Sequence, residues 1–297
     1  MYPRAFHYHR AASLRNAVAL LTQLGDEARP LAGGQSLIPL MKLRLTNPTH
    51  LVDLNFIPNS SYIKEDAGKL RFGALTRHGE IENSALARKI PILHDCAAGI
   101  ADVQVRNRGT IGGSVAEADP SGDWAVALMT LDCEVACIGS NGERIIPLTD
   151  FVKDAYTTAL AQNELVKEVV VKIPSPGSGG AYLAFKRAAP VYASASAAVQ
   201  LTMQEGVCTD AAIALGCVGL TPIKVKDAEA ALRGGAIDEK TVSAAMEAAR
   251  AAADPQSDMR GSADYKRALV AGLVKHAIEI ALRRARGEQV EVAPIYA

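Results

Sequence analysis

Two pairs of adjacent glycines are the features of this chain with the clearest chemistry. The first lies in AGGQS, where Ala32, Gly33, Gly34, Gln35 and Ser36 run into Leu37. After a strand, paired glycines let the backbone turn with positive φ and expose consecutive N–H groups. Such a nest takes phosphate oxygens without a basic side chain, and Gln35 and Ser36 can add side-chain hydrogen bonds. The alternative is an ordinary strand-end turn, and a lone GG pair does not separate the two. The second pair lies in GTIGGS, residues 109–114. Thr110 and Ser114 offer hydroxyls on either side of Ile111, Gly112 and Gly113, and the glycines permit close backbone approach. Neither loop matches the GxxxxGK[ST] phosphate loop or the GxGxxG dinucleotide fingerprint. Taken together, each followed by apolar helical sequence, they suit a ligand with two phosphates.

ADPSGD, residues 118–123, adds two carboxylates. Asp119 reads as a helix cap before Pro120. Asp123 fits two readings, an acceptor for a ribose or ribityl hydroxyl and an acid favouring a helix N-terminus. The other reactive residues are dispersed. Cys133 and Cys137 fall on one face of a strand with no second pair to complete a zinc or iron–sulfur site, so they read as core thiols. His7 and His9 alternate near the start without a partnering cluster, and His78, His94 and His276 are isolated. No GxSxG or HExxH motif occurs. Nothing here reads as hydrolytic machinery.

The elements that must position these residues are legible in part. Residues 13–24 read as a helix capped by Ser13 and ended by Gly25, with Leu14, Val18, Leu21 and Leu24 on one face. ARPLAGG reads as a strand entering a glycine turn, THLVDL as a second strand, and SLIPLMKL as helical or irregular because of Pro39. A second region begins near residue 58. It holds a hairpin turning at Ala67-Gly68, a helical stretch at 84–101, the second glycine loop, and an apolar helix in WAVALMTLD. A further hairpin over 133–147 turns at Asn141-Gly142, and a strand follows in ELVKEVVVKIP. PSPGSGG, residues 174–180, reads as a linker. Beyond it come three strand-like runs and three alanine-rich helical patterns, a separate α+β domain over 179–286.

The chain has 297 residues, 49% of them hydrophobic, which favours about two domains. Its 32 basic residues equal its 32 acidic ones and aromatics make up 5%, which argues against a nucleic-acid or anionic-membrane partner. The N-terminus lacks the pattern of a secretory signal. No apolar run approaches a membrane span, and five scattered cysteines fit a reducing cytoplasm.

The segments RPLAGGQSLIPLMKLRL and QVRNRGTIGGSVAEADPSGDW resemble the two FAD motifs of molybdenum hydroxylase flavoprotein subunits. This is the family of the medium subunit of aerobic carbon monoxide dehydrogenase and, more distantly, the xanthine dehydrogenase FAD-binding subunit. The resemblance extends through FHYHRAASLRNAVALL, GALTRH at 73–78, and KR…YASASAAVQLTM, covering nearly the whole chain.

The resemblance implies an α+β chain with a p-cresol methylhydroxylase-type FAD-binding domain. That domain would comprise α/β subdomains at 1–57 and 58–175. A C-terminal α+β domain at 179–286, with a three-stranded antiparallel sheet and helices, and a tail at 287–297 would follow. It implies that residues 32–36, with Leu37, and 110–114 hold the FAD pyrophosphate through backbone N–H groups. Asp123 would contact the sugar-alcohol region, Tyr192 the isoalloxazine ring, and Lys186 would be a ring neighbour. Val191 stands where the carbon monoxide dehydrogenases carry an aspartate, and the inserted cysteines of one branch are absent. The implied role is an electron relay with no catalytic side chain. A large subunit would carry a molybdopterin cofactor and a small one two 2Fe–2S clusters, in a dimer of heterotrimers, with electrons leaving FAD for an external acceptor. The substrate (carbon monoxide, a purine, an aldehyde or an N-heterocycle) would be chosen elsewhere in the assembly. An independent FAD oxidoreductase and a non-catalytic nucleotide-binding module are the alternatives.

Overall fold

The computed structural model describes residues 2–292 and the backbone of Ile295–Tyr296. The chain begins with a three-stranded parallel sheet in the order β1-β3-β2. It is built from β1 (His7–Arg10), helix α1 (Leu14–Leu24), β2 (Ala28–Leu31), helix α2 (Leu37–Lys42) and β3 (His50–Asp53). Ser13 caps α1 by accepting from the Asn16 N–H at 3.1 Å, and Gly25, at φ 62°, ends it. Ala17, Val18 and Leu21 are buried, and each of the two larger side chains stabilises the fold by about 1.5–3 kcal/mol. Pro39 is tolerated in α2 because it lies in the first turn, where an N–H has no intrahelical acceptor. The alternation of His7 and His9 is that of strand β1. Its pairing with β3 supplies the partner that local sequence did not show: His9 Nε2 lies 2.9 Å from His50 Nδ1.

The next layer is a five-stranded antiparallel sheet in the order β4-β5-β10-β6-β7. Strands β4 (Ile63–Asp66) and β5 (Lys69–Gly73) form the first hairpin, with Ala67 and Gly68 both at positive φ, as a type I′ turn requires. Four short helices follow: α3 (His78–Glu82), α4 (Pro91–Gly99), α5 (Val103–Arg106) and α6 (Ile111–Glu117). After α7 (Trp124–Met129), β6 (Cys133–Gly139) and β7 (Gly142–Pro147) make the second hairpin. It reverses through Ser140 and Asn141, one residue earlier than the Asn-Gly signal suggests, because Gly139 pairs with Gly142. A helical turn α8 (Leu148–Phe151) and the small ribbon of β8 (Val152–Asp154) and β9 (Thr157–Thr158) lead to β10 (Leu165–Lys172), which joins the two hairpins. Phe72, Ile92, Leu93, Trp124, Leu128 and Val169 fill the core between the sheet and its helices. Cys133 and Cys137 are buried in that core with their thiol pKa values raised by burial. Among the described residues no group of His, Cys, Asp and Glu is placed to hold a metal ion, and no helix is long and apolar enough to cross a membrane.

The third layer contains β11 (Ser178–Lys186), β12 (Ala195–Gln204), β13 (Val207–Gly216) and β14 (Ile223–Lys224). Helices α9 (Lys226–Leu232), α10 (Glu239–Ala252) and α11 (Ala263–Ala285) cover one face of its sheet. The sheet has five strands rather than the expected three. Two-residue strands too short to show a period, β14 and β15 (Ile295–Tyr296), add an edge on each side. The terminal stretch read as a tail thus pairs in parallel with Phe185 and Lys186. The linker is also shorter than it reads. Ser178, Gly179 and Gly180 are already strand, and Gly179 is glycine because a Cβ would stand 2.2 Å from the Ala281 carbonyl oxygen of α11. Tyr182, Ala198 and Ala214 on the opposite face join the core of the preceding layer. Between the layers, Arg284 of α11 forms a bidentate ion pair with Asp95 of α4, at 2.6 and 2.9 Å.

Candidate functional site

A cleft of about 480 Å³ runs where the three layers meet, with the first glycine loop, the second loop and residues 190–192 on its walls. The first loop leaves the end of β2 and enters α2. Asn55 holds it from behind, its Nδ2 donating to the Ala32 carbonyl at 2.8 Å. With that carbonyl turned inward and Gly34 at φ 74°, no N–H of residues 32–37 finds an acceptor among the described residues. Consecutive backbone donors without protein acceptors, on the wall of a cleft, are the donor set that a phosphate oxygen satisfies. Gly33 packs directly on the second loop: a Cβ there would stand 2.3 Å from the Arg108 carbonyl oxygen and 2.7 Å from Gly109 Cα.

The second loop differs from the expectation that both loops offer backbone amides. Thr110 is the N-cap of α6, and the N–H groups after it are already engaged. Ile111 donates to the Thr76 carbonyl, Gly112 to the Ala74 carbonyl, and Ser114 to the Thr110 carbonyl, each at 3.0 Å. Gly113 donates to Thr110 Oγ1 at 3.1 Å, the one of these bonds whose acceptor can rotate aside for a ligand oxygen. A helix start leaves its first N–H groups without intrahelical acceptors; here the Thr76 and Ala74 carbonyls and the Thr110 cap take them instead. Ile111 points its side chain into the core and does not line the cleft. Gly112 is pressed against Ala74, where a Cβ would come within 2.5 Å. The second loop is therefore a close-packed wall bearing the Ser114 hydroxyl, and the first loop carries the free donors.

Asp123 lies on the cleft floor, 8% exposed. Its side chain does not cap α7. It accepts from the Tyr182 hydroxyl at 2.7 Å and stands 3.8 Å from Lys186 Nζ. Burial raises its carboxyl pKa, while the Lys186 charge and the Tyr182 hydrogen bond oppose the rise. Lys186 also donates to the Gly99 carbonyl, so this knot ties the third layer to the second beneath the cleft. Asp119 caps no helix, contrary to its reading: no helix starts at Pro120, and its carboxylate accepts from the Ser121 N–H at 2.8 Å in a tight turn. It stands on the cleft wall. Tyr192 lies on the same wall beside Val191, 51% exposed. Burial, then the neighbouring Asp119 carboxylate, pushes its hydroxyl pKa up.

His78 is among the site residues that reading spacing alone missed. It is buried against the second loop, and Trp124 Nε1 donates to its Nδ1 at 3.0 Å. Burial pushes its pKa down to about 3, so the ring is neutral with its proton on Nε2. The only sequence signal was its place in GALTRH, since nothing local links it to a tryptophan 46 residues away. Glu117, whose pKa is raised by burial and then by Asp119, and the apolar Leu54, Leu165 and Val166 also line the cleft. A second, more open groove of about 560 Å³ between Met129, Thr149 and Arg233 contains neither loop, and its Arg233 is paired with Glu229 and Asp210.

The cleft combines free amide donors, a glycine-lined wall, apolar patches and an acidic, tyrosine-bearing end. That set fits a long ligand with a diphosphate centre and an aromatic end. Comparison with known proteins agrees. Residues 4–176 match the family model of the FAD binding domain in molybdopterin dehydrogenase, and residues 180–281 match the CO dehydrogenase flavoprotein C-terminal domain. The chain is 42% identical to the carbon monoxide dehydrogenase medium chain of Afipia carboxidovorans, over 96% of this chain and all of the relative. It superposes on the carbon monoxide dehydrogenase of Hydrogenophaga pseudoflava with a TM-score of 0.93 and 40% identity, covering 96% of this chain and 99% of that one. Quinoline 2-oxidoreductase from Pseudomonas putida 86 matches with a TM-score of 0.91 and 36% identity, at 96% and 99% coverage. The chain therefore belongs to the family of FAD-binding oxidoreductase subunits of molybdopterin dehydrogenases.

Proposed function

We propose that this chain is the electron-relay subunit of a molybdenum-containing hydroxylase. It receives electrons from 2Fe–2S clusters of a small subunit and delivers them to an external acceptor. The observation that carries the reading is the row of N–H groups at residues 32–37 that find no acceptor among the described residues, on the wall of a cleft between two glycine loops. FAD, when bound, supplies the redox chemistry; the protein supplies position, shielding and electrostatics. Ala32, Gly33, Gly34, Gln35, Ser36 and Leu37 would hold the diphosphate from one side. Thr110, Gly112, Gly113 and Ser114 would close on it from the other, with Ile111 anchoring that wall in the core. Asp123 and Lys186 set the charge of the cleft floor, and Tyr192 offers a flat face for the isoalloxazine ring with its hydroxyl kept in a polar setting.

In this scheme substrate oxidation falls to a large partner bearing a molybdopterin cofactor. The relatives' names support a multi-subunit assembly: the Afipia protein is a medium chain, and the Hydrogenophaga structure is described as a form that lacks the Mo-pyranopterin moiety of the molybdenum cofactor. Relatives that share the fold are named for carbon monoxide and for quinoline, so substrate choice belongs to the partner rather than to this chain. We assign the assembly to a dimer of heterotrimers in the cytoplasm; five free cysteines suit a reducing compartment. The test is native mass analysis of the complex purified from its source, with metal and flavin content. FAD, molybdenum and iron in one assembly are expected. An isolated, metal-free chain that rapidly oxidises an organic substrate overturns the relay.

A further inference from the structure

The two glycine loops are tied to one another from behind by two side chains in series, Arg77 and Asn55. Arg77 precedes α3, and its backbone runs antiparallel to the second loop, pairing with Thr110. One arm of its guanidinium donates to the Arg108 carbonyl. The other donates to Asn55 Oδ1 at 2.6 Å. Each contact bears on a loop. The Arg108 carbonyl oxygen is the atom against which Gly33 packs, and Asn55 is the residue that turns the Ala32 carbonyl inward. Asn55 is itself oriented by Asp53, whose Oδ1 accepts from Asn55 Nδ2 at 2.6 Å and whose Oδ2 accepts from the Tyr8 hydroxyl at 2.5 Å.

The charge is as telling as the bridge. Both acceptors of the Arg77 fork are neutral, and among the described residues it forms no salt bridge. Burial, then the neighbouring Arg108 charge, depresses its pKa. The Glu80 and Asp53 carboxylates offset part of that effect, and the half-buried cation stands beside Arg108 behind the N–H groups of the first loop, where its field favours an anion. Arg77 does not line the cleft, so it acts through the loops and by its field.

We propose that Arg77 is a positioning residue for the cofactor's diphosphate: it joins the two loops and sets the separation across which the diphosphate is gripped. This rests on the FAD reading above. Apoprotein of the full chain is titrated with FAD, with ADP, which carries the diphosphate, and with riboflavin, which carries none. Arg77→Met keeps the apolar stem and removes the fork. It should weaken FAD and ADP about ten- to hundredfold, the range for loss of charge-assisted hydrogen bonds, and leave riboflavin within about twofold. Arg77→Lys keeps the charge but cannot serve two acceptors with one planar fork, so most of the loss should persist. Asn55→Ala breaks the other end of the bridge and should give the same selective loss, which keeps the test decisive if Arg77→Met does not fold. An equal loss for riboflavin, full recovery in Arg77→Lys, or parent-like FAD binding in the variants overturns the proposal alone. A parent chain that binds no FAD overturns the FAD reading and this proposal with it.

Discussion

Replacing Gly33 with alanine adds one methyl group where the two loops touch. Its Cβ would stand 2.3 Å from the Arg108 carbonyl oxygen and 2.7 Å from Gly109 Cα, short of ordinary van der Waals contact by about 1 Å. Both opposing atoms are backbone, and Arg77 holds the carbonyl from behind, so the first loop must retreat. A shift of about 1 Å stretches a hydrogen bond of about 2.9 Å beyond useful range. Loss of two of the amide-to-phosphate bonds, at about 1.5–3 kcal/mol each, removes about 3 kcal/mol or more, a loss of over a hundredfold in FAD affinity. The overpacking itself costs the apoprotein about 1–3 kcal/mol. Gly272→Ala, in α11 with nothing within 4 Å of its Cβ, is the control and should stabilise by about 1 kcal/mol with FAD affinity unchanged. The assay is quenching of FAD fluorescence on titration into apoprotein, alongside thermal melting. Gly33→Ala protein that melts near the parent temperature and binds FAD as tightly as the parent refutes the assignment of the diphosphate to this loop.

Three further outcomes are expected. Arg284→Ala leaves the Asp95 carboxylate, whose side chain is fully buried, without its partner, and should cost about 3–5 kcal/mol in urea unfolding; a loss under about 1 kcal/mol means the pair is dispensable to the joining of the layers. Tyr192→Ala should speed reoxidation of the reduced holoprotein by oxygen or dyes in stopped flow while changing FAD affinity only modestly; unchanged rates with an unchanged flavin spectrum place the tyrosine away from the ring. For His78, burial lowers the folded pKa from 6.5 to about 3, so between those values the unfolded chain binds the extra proton and stability falls as pH falls. The slope from this group approaches about 1.4 kcal/mol per pH unit. His78→Gln should flatten the difference in unfolding free energy between about pH 6 and about pH 4.5, and an unchanged difference shows that the ring titrates normally.

What the sequence determined by itself was local. Helix α1 shows its cap at Ser13, its apolar face and its glycine stop within a dozen residues, and the hairpin at Ala67-Gly68 follows from backbone preferences at its tip. Both glycine loops are legible for the same reason, because a pair of residues without Cβ atoms marks close approach wherever it occurs. Which loop keeps its donors is not local. The N–H groups of residues 111–114 are consumed by Ala74, Thr76 and the Thr110 cap, and those of 32–37 are left free by a carbonyl that Asn55 turns inward. The short strands β1, β14 and β15 are strands only because a neighbour pairs with them, since two to four residues are too few to establish a period. Asp123, Tyr182 and Lys186 meet across two layers, as do His78 and Trp124 within one, and Arg77 bridges loops whose chain positions lie far apart. Tertiary packing alone brings these groups within hydrogen-bonding or ion-pairing distance and sets their burial, and burial is the largest cause of the pKa shifts of Asp123 and His78.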